Sequence, residues 1–579
     1  MRDFEEDDDQ GTGFDRREFG KILVTGVGAL SLATVAGAQE SQPPAGAAAT
    51  EKFEEEFDVI IVGAGLSGLI AARELKRSQQ FDKMMILEAN DHIGGRMIGE
   101  EVTVDGHTGY VDLGGQWVGP TQTAMLALLG QLKIEKFISY EKGQSIQSWD
   151  PHKSGEETKK TVFDGNVSEL YMGECAPPHE FPTDPDGHTL PSCEPLRYPP
   201  CSKNADERRI WLKQLLERIS VTVPCDEPWN TAHADVLDNK TFQQFLTENY
   251  AKDYTQWVPT VAAHIGGSGG FEPDEVSLLH MAWTQHVGPQ SETPELWLMK
   301  GGAGQIPGIL AEQLKAAGGR TKVSIGTTYA ATRIAMTDSK DKVAIRVRNP
   351  GGETWTYGAK AVIVAIPPPL RQKIDFPDLS KNYVGFMYGS PMGSMSKVHA
   401  VYDHAFWRDQ CLSGSAAGNL ETCEFIADSS SEDGKPGILT SFIAADRNVG
   451  LRHATKEQVQ ELVLRDYAHF FGELALKPKK FFYRNWNNQQ WTTGAFTSYT
   501  YPGVWTRYGE EGWRKPAGLI FWAGTETSER WPGYFDGAIR AGVRAANEVL
   551  TKLHHSLPPP LDPPFPAGPI CPEGVIKVP

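Results

Sequence analysis

One stretch, residues 57–96, limits the possible folds more than any other. Val59-Ile60-Ile61-Val62 is a short apolar, β-branched run, read as a strand buried on both faces. It leads directly into Gly63-Ala64-Gly65-Leu66-Ser67-Gly68, after which Leu69, Ala72 and Leu75 recur at helical spacing. Met84-Met85-Ile86-Leu87 is a second apolar strand, and Glu88 stands at its end, 25 residues after Gly63. Each part has a mechanical reason. Gly63 allows the tight turn, Gly65 lets a pyrophosphate approach the backbone, and Gly68 lets helix and strand pack closely. The phosphates would sit on the helix N-terminus beside Ser67, and Glu88, followed by Ala89, would accept from a ribose hydroxyl. A glycine-rich turn alone says little. Strand, turn, helix, second strand and terminal acid in this order predict a dinucleotide site. Gly94-Gly95-Arg96, a few residues after the acid, points to FAD rather than NAD.

With these residues in view, the stretch from Asp58 to Arg96 resembles the flavin-containing monoamine oxidase family, within the wider group of FAD amine oxidoreductases. Three further segments are similar to the same family in the same order. They are Leu113-Gly114-Gly115-Gln116-Trp117-Val118-Gly119-Pro120-Thr121-Gln122, then Gly301-Gly302-Ala303-Gly304-Gln305-Ile306-Pro307, and finally Phe521 to Thr527 with Trp531-Pro532-Gly533-Tyr534. Together the matched regions span most of residues 55–552. The resemblance implies an α/β fold: a Rossmann-type FAD-binding domain built from discontinuous segments, with an interleaved α+β substrate-binding domain. The expected boundaries are 55–134, 296–371 and 483–555 for the former, and 135–295 and 372–482 for the latter. A Pro/Cys-rich, loop-like insertion occupies 150–205. Helices are expected over 207–219, 241–253, 274–285, 306–317 and 534–550.

The resemblance also implies site residues. Phe496 and Tyr534 match the two aromatic rings that face each other across the flavin and present a neutral amine. Lys397 matches a lysine that holds a water beside flavin N5 and assists oxygen, although a strand lysine is often merely solvated. Trp486 matches a tryptophan packed on the flavin. Gly95, Arg96, Gly115, Gln116, Trp117, Gly524 and Glu526 fall in the flavin-contact motifs, and Val323 in the segment that meets the adenine end. The implied reaction takes a primary (or secondary) amine to an imine, which hydrolyses to an aldehyde, while O2 becomes H2O2. Animal relatives attach FAD through a cysteine just before the cage aromatic. That position is Ala495 here, so FAD is expected to be bound non-covalently. Gln285 does not align with the cavity glutamine of the animal enzymes, so the identity of the amine does not transfer. An L-amino-acid or polyamine oxidase is the alternative, the former disfavoured because no inward arginine is evident. A flavin-binding protein without turnover is the reading of a different class.

Composition matters at three points. The net charge of −18 argues against a nucleic-acid partner, since phosphate binding needs clustered Lys and Arg. Seven cysteines suit an oxidising compartment: Cys175, Cys193, Cys201 and Cys225 cluster near the Pro-rich segment, Cys411 and Cys423 could close a hairpin, and Cys571 is left over. No C-x-x-C pair suggests a metal site. Residues 1–38 have the layout of an export signal, with Arg16-Arg17 resembling a twin-arginine type, so an exported protein is expected, the alternative being a disordered N-terminal tail on a soluble cytoplasmic protein; 39–54 read as a linker. The 556–579 tail is Pro-rich with no apolar run, so no C-terminal membrane anchor is expected. A homodimer is left open.

Overall fold

The computed structural model describes residues 52–149, 159–164, 216–249, 269–289, 294–316, 318–418, 422–423, 425–494 and 496–565. The export expectation, the linker up to residue 51, the 207–215 part of the expected helix 207–219, Cys175, Cys193, Cys201, Cys571 and Ala495 lie outside them.

Two seven-stranded sheets organise the chain. In the first, the strand order is Lys322–Gly326, Lys83–Leu87, Glu55–Val62, Thr354–Val364, Val343–Arg348 and Ala330–Met336, with Ile520–Trp522 also pairing with Thr354–Val364. The strands nearest the glycine turn are parallel: Val59 to Val62 lie between Met84 to Leu87 on one side and Ala361 to Val364 on the other. Strand 354–364 changes partner along its length, with Val343 to Arg348 antiparallel to its first half and Ile520 to Trp522 parallel to its last three residues. Its final four residues, Ala361 to Val364, are fully buried, as expected for a strand covered on both faces. One face carries the helices Leu66–Arg77, Ile306–Lys315 and Phe535–Lys552. Helices 66–77 and 535–552 approach closely because Gly542 has no side chain: a Cβ there would lie 2.4 Å from the Ser67 carbonyl oxygen.

The second sheet runs Lys480–Asn485, Met395–Tyr402, Gly437–Ala444, Phe425–Asp428, Leu412–Gly418, Gln144–Trp149 and Lys159–Asp164. Its core includes Trp407 together with Tyr467 and Phe470, which helix Lys456–Phe471 contributes from its buried face. A third core, around Trp283, Trp505 and Trp513, surrounds helix Leu278–Val287. No helix among the described residues is long and apolar enough to cross a membrane.

Three expectations change. The 150–205 stretch is not loop throughout, since 159–164 form a strand antiparallel to 144–149. The helix expected from 274 starts at Leu278, because the Ser277 side chain accepts the His280 N–H and caps the helix there. Cys411 and Cys423 are both free. Ala417 pairs with Phe425 in that hairpin, so Cys423 lies near its closed end while Cys411 precedes the strand at the open end. Six residues of extended chain separate Cys411 from Ala417, about 20 Å, far beyond disulfide reach. Cys225 is disulfide-bonded.

Candidate active site

The glycine turn after Val62 forms a cradle. Gly63 has φ +104°, and a Cβ on it would meet the Ala365 carbonyl oxygen at 2.8 Å. Gly65 is the N-cap of helix 66–77 with no side chain capping it, so the first-turn N–H groups remain available to an anion. A Cβ at Gly65 would meet nothing within 4 Å, whereas one at Gly68 would lie 2.0 Å from the Gly63 carbonyl oxygen. Open space at the second glycine and none at the third is what a pyrophosphate site requires. Gly95 (φ +59°) brings the Gly-Gly-Arg turn against Gly65. Glu88 is buried and accepts the Ala64 and Asn90 N–H groups, each at 2.8 Å. Ala89 follows it, half-buried.

Val323 stands farther back on strand 322–326 than the position beside Glu88. It pairs with Met84, whereas Gly326 pairs with Leu87 beside the acid; three residues of strand set Val323 back by about 10 Å. Thr328 and Tyr329 lie beside the acid, donating N–H to the Asn90 and Glu88 carbonyls at 2.7 and 2.8 Å. Reading the register from the apolar pattern alone could not separate these positions.

From the cradle the site continues toward the second sheet. Ser67 Oγ accepts the Gly524 N–H at 3.0 Å, joining the first motif to the last. Arg96 donates to the Phe496 carbonyl and to Glu526 Oε1, both at 2.6 Å. Glu526 lies in a 3-10 turn, and its Oε2 is buried without a hydrogen-bond partner. An orphaned acceptor of this kind fits a cofactor hydroxyl. The open Gly65 cradle, Glu88 and Glu526 therefore fit FAD, and with Ser67, Gly95, Arg96 and Gly115 to Trp117 they are the residues that would hold it.

Lys397, on strand 395–402, is not solvated. It is 2% exposed and donates to the Asp112 and Gly114 carbonyls at 2.7 Å and to Gln116 Oε1. The rings of Trp117 and Phe442 lie 5.1 and 5.5 Å from its nitrogen. Desolvation pushes its pKa down from 10.5 to about 7, against the attraction of the Asp112 carboxylate. Trp486 is buried, donating to the Leu113 carbonyl at 3.0 Å. Phe496 packs with Phe442 around Met395 and Ala444, so its segment meets the Lys397 surroundings. Tyr534 is the N-cap of helix 535–552, and its carbonyl accepts the Thr525 hydroxyl at 2.9 Å. The segments carrying the two aromatics touch: a Cβ at Gly533 would lie 2.9 Å from Thr497 Cβ. One at Gly115 would lie 2.5 Å from the Phe535 ring.

One residue escaped the sequence reading. The Tyr534 hydroxyl donates to Glu295 Oε1 at 2.9 Å. Glu295 is exposed, yet desolvation pushes its carboxyl up to about 7. No motif marks Glu295; a single carboxylate just before strand Trp297–Met299 looks like any solvated loop residue.

Comparison with known proteins agrees with this geometry. A family model described as flavin containing amine oxidoreductase matches residues 66–550. An L-amino acid dehydrogenase of Synechocystis sp. is 34% identical over 498 residues, covering 86% of this chain and 95% of that protein. The flavin-containing amine oxidase A of Equus caballus is 29% identical over 516 residues, covering 86% of this chain and 85% of that protein. The solved structure of cyclohexylamine oxidase from Brevibacterium oxydans IH-35A aligns with a TM-score of 0.69 at 25% identity, covering 86% of this chain and 100% of that one.

Proposed function

The chain belongs to the flavin-containing amine oxidoreductase family and is an FAD-dependent enzyme, and we propose that it oxidises a primary (or secondary) amine to an imine that hydrolyses to an aldehyde, with O2 reduced to H2O2. FAD supplies the two-electron acceptor chemistry. The protein's own task is to hold the amine in neutral form against the reactive edge and to keep water away. The observation that carries this reading is the convergence of the Phe496 and Tyr534 segments, joined through Gly533 and Thr497, next to the buried Lys397. In this reading Phe496 and Tyr534 line the amine path, and Trp486 and Trp117 close the walls. Lys397, held by three oxygen acceptors, presents a fixed positive charge or, above its lowered pKa, a neutral amine. FAD is bound without a covalent link, because Ala495 cannot form a thioether. The test is an anaerobic screen following flavin bleaching with aromatic, aliphatic and polyamine substrates, followed by a peroxide assay in air. If no amine bleaches the flavin, the reading fails.

A second reading, oxidation of L-amino acids, is supported by the Synechocystis relative and by one residue. Arg484 lies on strand 480–485 directly opposite Lys397, with its guanidinium 4.7 Å from the Trp486 ring and its Nε without a partner. It is a candidate for a substrate carboxylate. A 2-oxo acid product, in place of an aldehyde, would establish this reading.

A further inference from the structure

We propose that Glu295 is the specificity-determining carboxylate of this site, receiving the positive charge of an arriving amine and turning away substrates that carry an α-carboxylate; this rests on the amine oxidation reading above.

The argument begins with position. Glu295 Oε1 is bonded to the hydroxyl of Tyr534, one of the two residues assigned to the amine path. Both partners are mounted on rigid parts. Tyr534 is held at the start of helix 535–552 by the Thr525 hydroxyl, and its N–H donates to the Trp531 carbonyl at 3.2 Å. Glu295 follows Pro294, whose carbonyl accepts from the fully buried Gln122 at 3.2 Å. It precedes strand 297–299, which pairs with Trp117–Val118 of the flavin-contact motif. The backbone on either side of Glu295 is thus anchored, and the Tyr534 hydroxyl orients its carboxylate.

The second step is charge. Glu295 forms no ion pair with any described residue, and its second oxygen has no partner among them. A desolvated carboxylate without a counter-ion gains most from a cation brought to it. An ammonium group supplies that cation. A zwitterionic amino acid supplies it together with a second negative charge, which Glu295 repels. The same carboxylate therefore attracts one class and disfavours the other, which is specificity by both attraction and repulsion.

The experiment uses holoenzyme and three pairs that differ only by the carboxylate: phenethylamine and L-phenylalanine, isoamylamine and L-leucine, cadaverine and L-lysine. Dissociation constants come from the concentration dependence of anaerobic flavin bleaching, or from flavin absorbance shifts where a compound binds without reacting. In Glu295→Gln, amine binding should weaken about 10- to 100-fold, while amino-acid binding should tighten. Tyr534→Phe removes the hydrogen bond that lowers the Glu295 pKa, so discrimination should weaken near neutral pH and return at about pH 9, where the carboxyl is ionised again. A structural defect would shift both members of a pair in one direction, so opposite shifts identify the charge. If both members move together, or neither moves, in a variant whose wild type is bleached by amines, the role of Glu295 is wrong and the amine oxidase reading stands. If wild type prefers the amino acid in each pair, the proposal is likewise overturned. If no amine bleaches the wild-type flavin, the underlying reading fails first.

Discussion

Two glycines three residues apart should respond oppositely to the same added methyl group. At Gly65 the backbone has φ −71° and ψ 175°, open to any L-residue, and a Cβ would meet nothing within 4 Å. Gly65→Ala should therefore leave the apoprotein as stable as before, or more stable by about 0.4–1 kcal/mol through the less flexible unfolded chain. The empty space is where a phosphate would lie. A methyl group there should weaken FAD by about 1–3 kcal/mol, roughly 5- to 150-fold in Kd. At Gly68 the Cβ would sit 2.0 Å from the Gly63 carbonyl oxygen, and real Cβ atoms do not come closer than 3.0 Å. Helix 66–77 would have to withdraw by about 1 Å, so Gly68→Ala should cost about 1–3 kcal/mol of apoprotein stability or more, and FAD affinity as well. Urea unfolding of the apoprotein and titration of FAD by fluorescence quenching measure the two quantities separately. A Gly65→Ala protein that binds FAD like wild type would refute the assignment of the cradle.

Other outcomes follow from the same geometry. Lys397→Met should leave anaerobic flavin bleaching by amines largely intact and slow reoxidation in air by at least tenfold, read by stopped-flow absorbance, if the buried charge assists oxygen. Acid precipitation of the holoenzyme should leave the yellow colour in the supernatant; colour in the pellet would contradict non-covalent binding. His280 accepts the Trp505 indole N–H at 3.2 Å inside the tryptophan cluster, and burial lowers its pKa to about 3. Because the unfolded chain takes up this proton near pH 6.5 and the folded one does not, stability should fall as pH drops below 6.5, by about 2 kcal/mol at pH 5. His280→Gln, which keeps an acceptor but cannot titrate, should lack that component when urea midpoints are compared at pH 7.5 and pH 5.

The dinucleotide cradle was legible in the chain because its parts are local. A strand, a turn, a helix and an acid within 25 residues leave a periodic and compositional trace, and the glycines sit where backbone contact demands them. The likeness of four ordered motifs extended that reading to the FAD site and to Lys397, Phe496 and Tyr534. Register was less accessible. Val323 and Tyr329 belong to one continuous segment, and only its pairing with strand 83–87 shows which of them stands beside Glu88. The burial of Lys397 was also undecided, since a lysine in an alternating strand looks the same whether its partners are water or three oxygen atoms. Glu295 and Tyr534 are 239 residues apart. Nothing in the spacing of either predicts their contact, because it depends on helix 535–552 and strand 297–299 docking beside the same flavin-contact segment. Local physics wrote the cofactor cradle into the sequence, while the Glu295–Tyr534 contact exists only once distant segments are packed together.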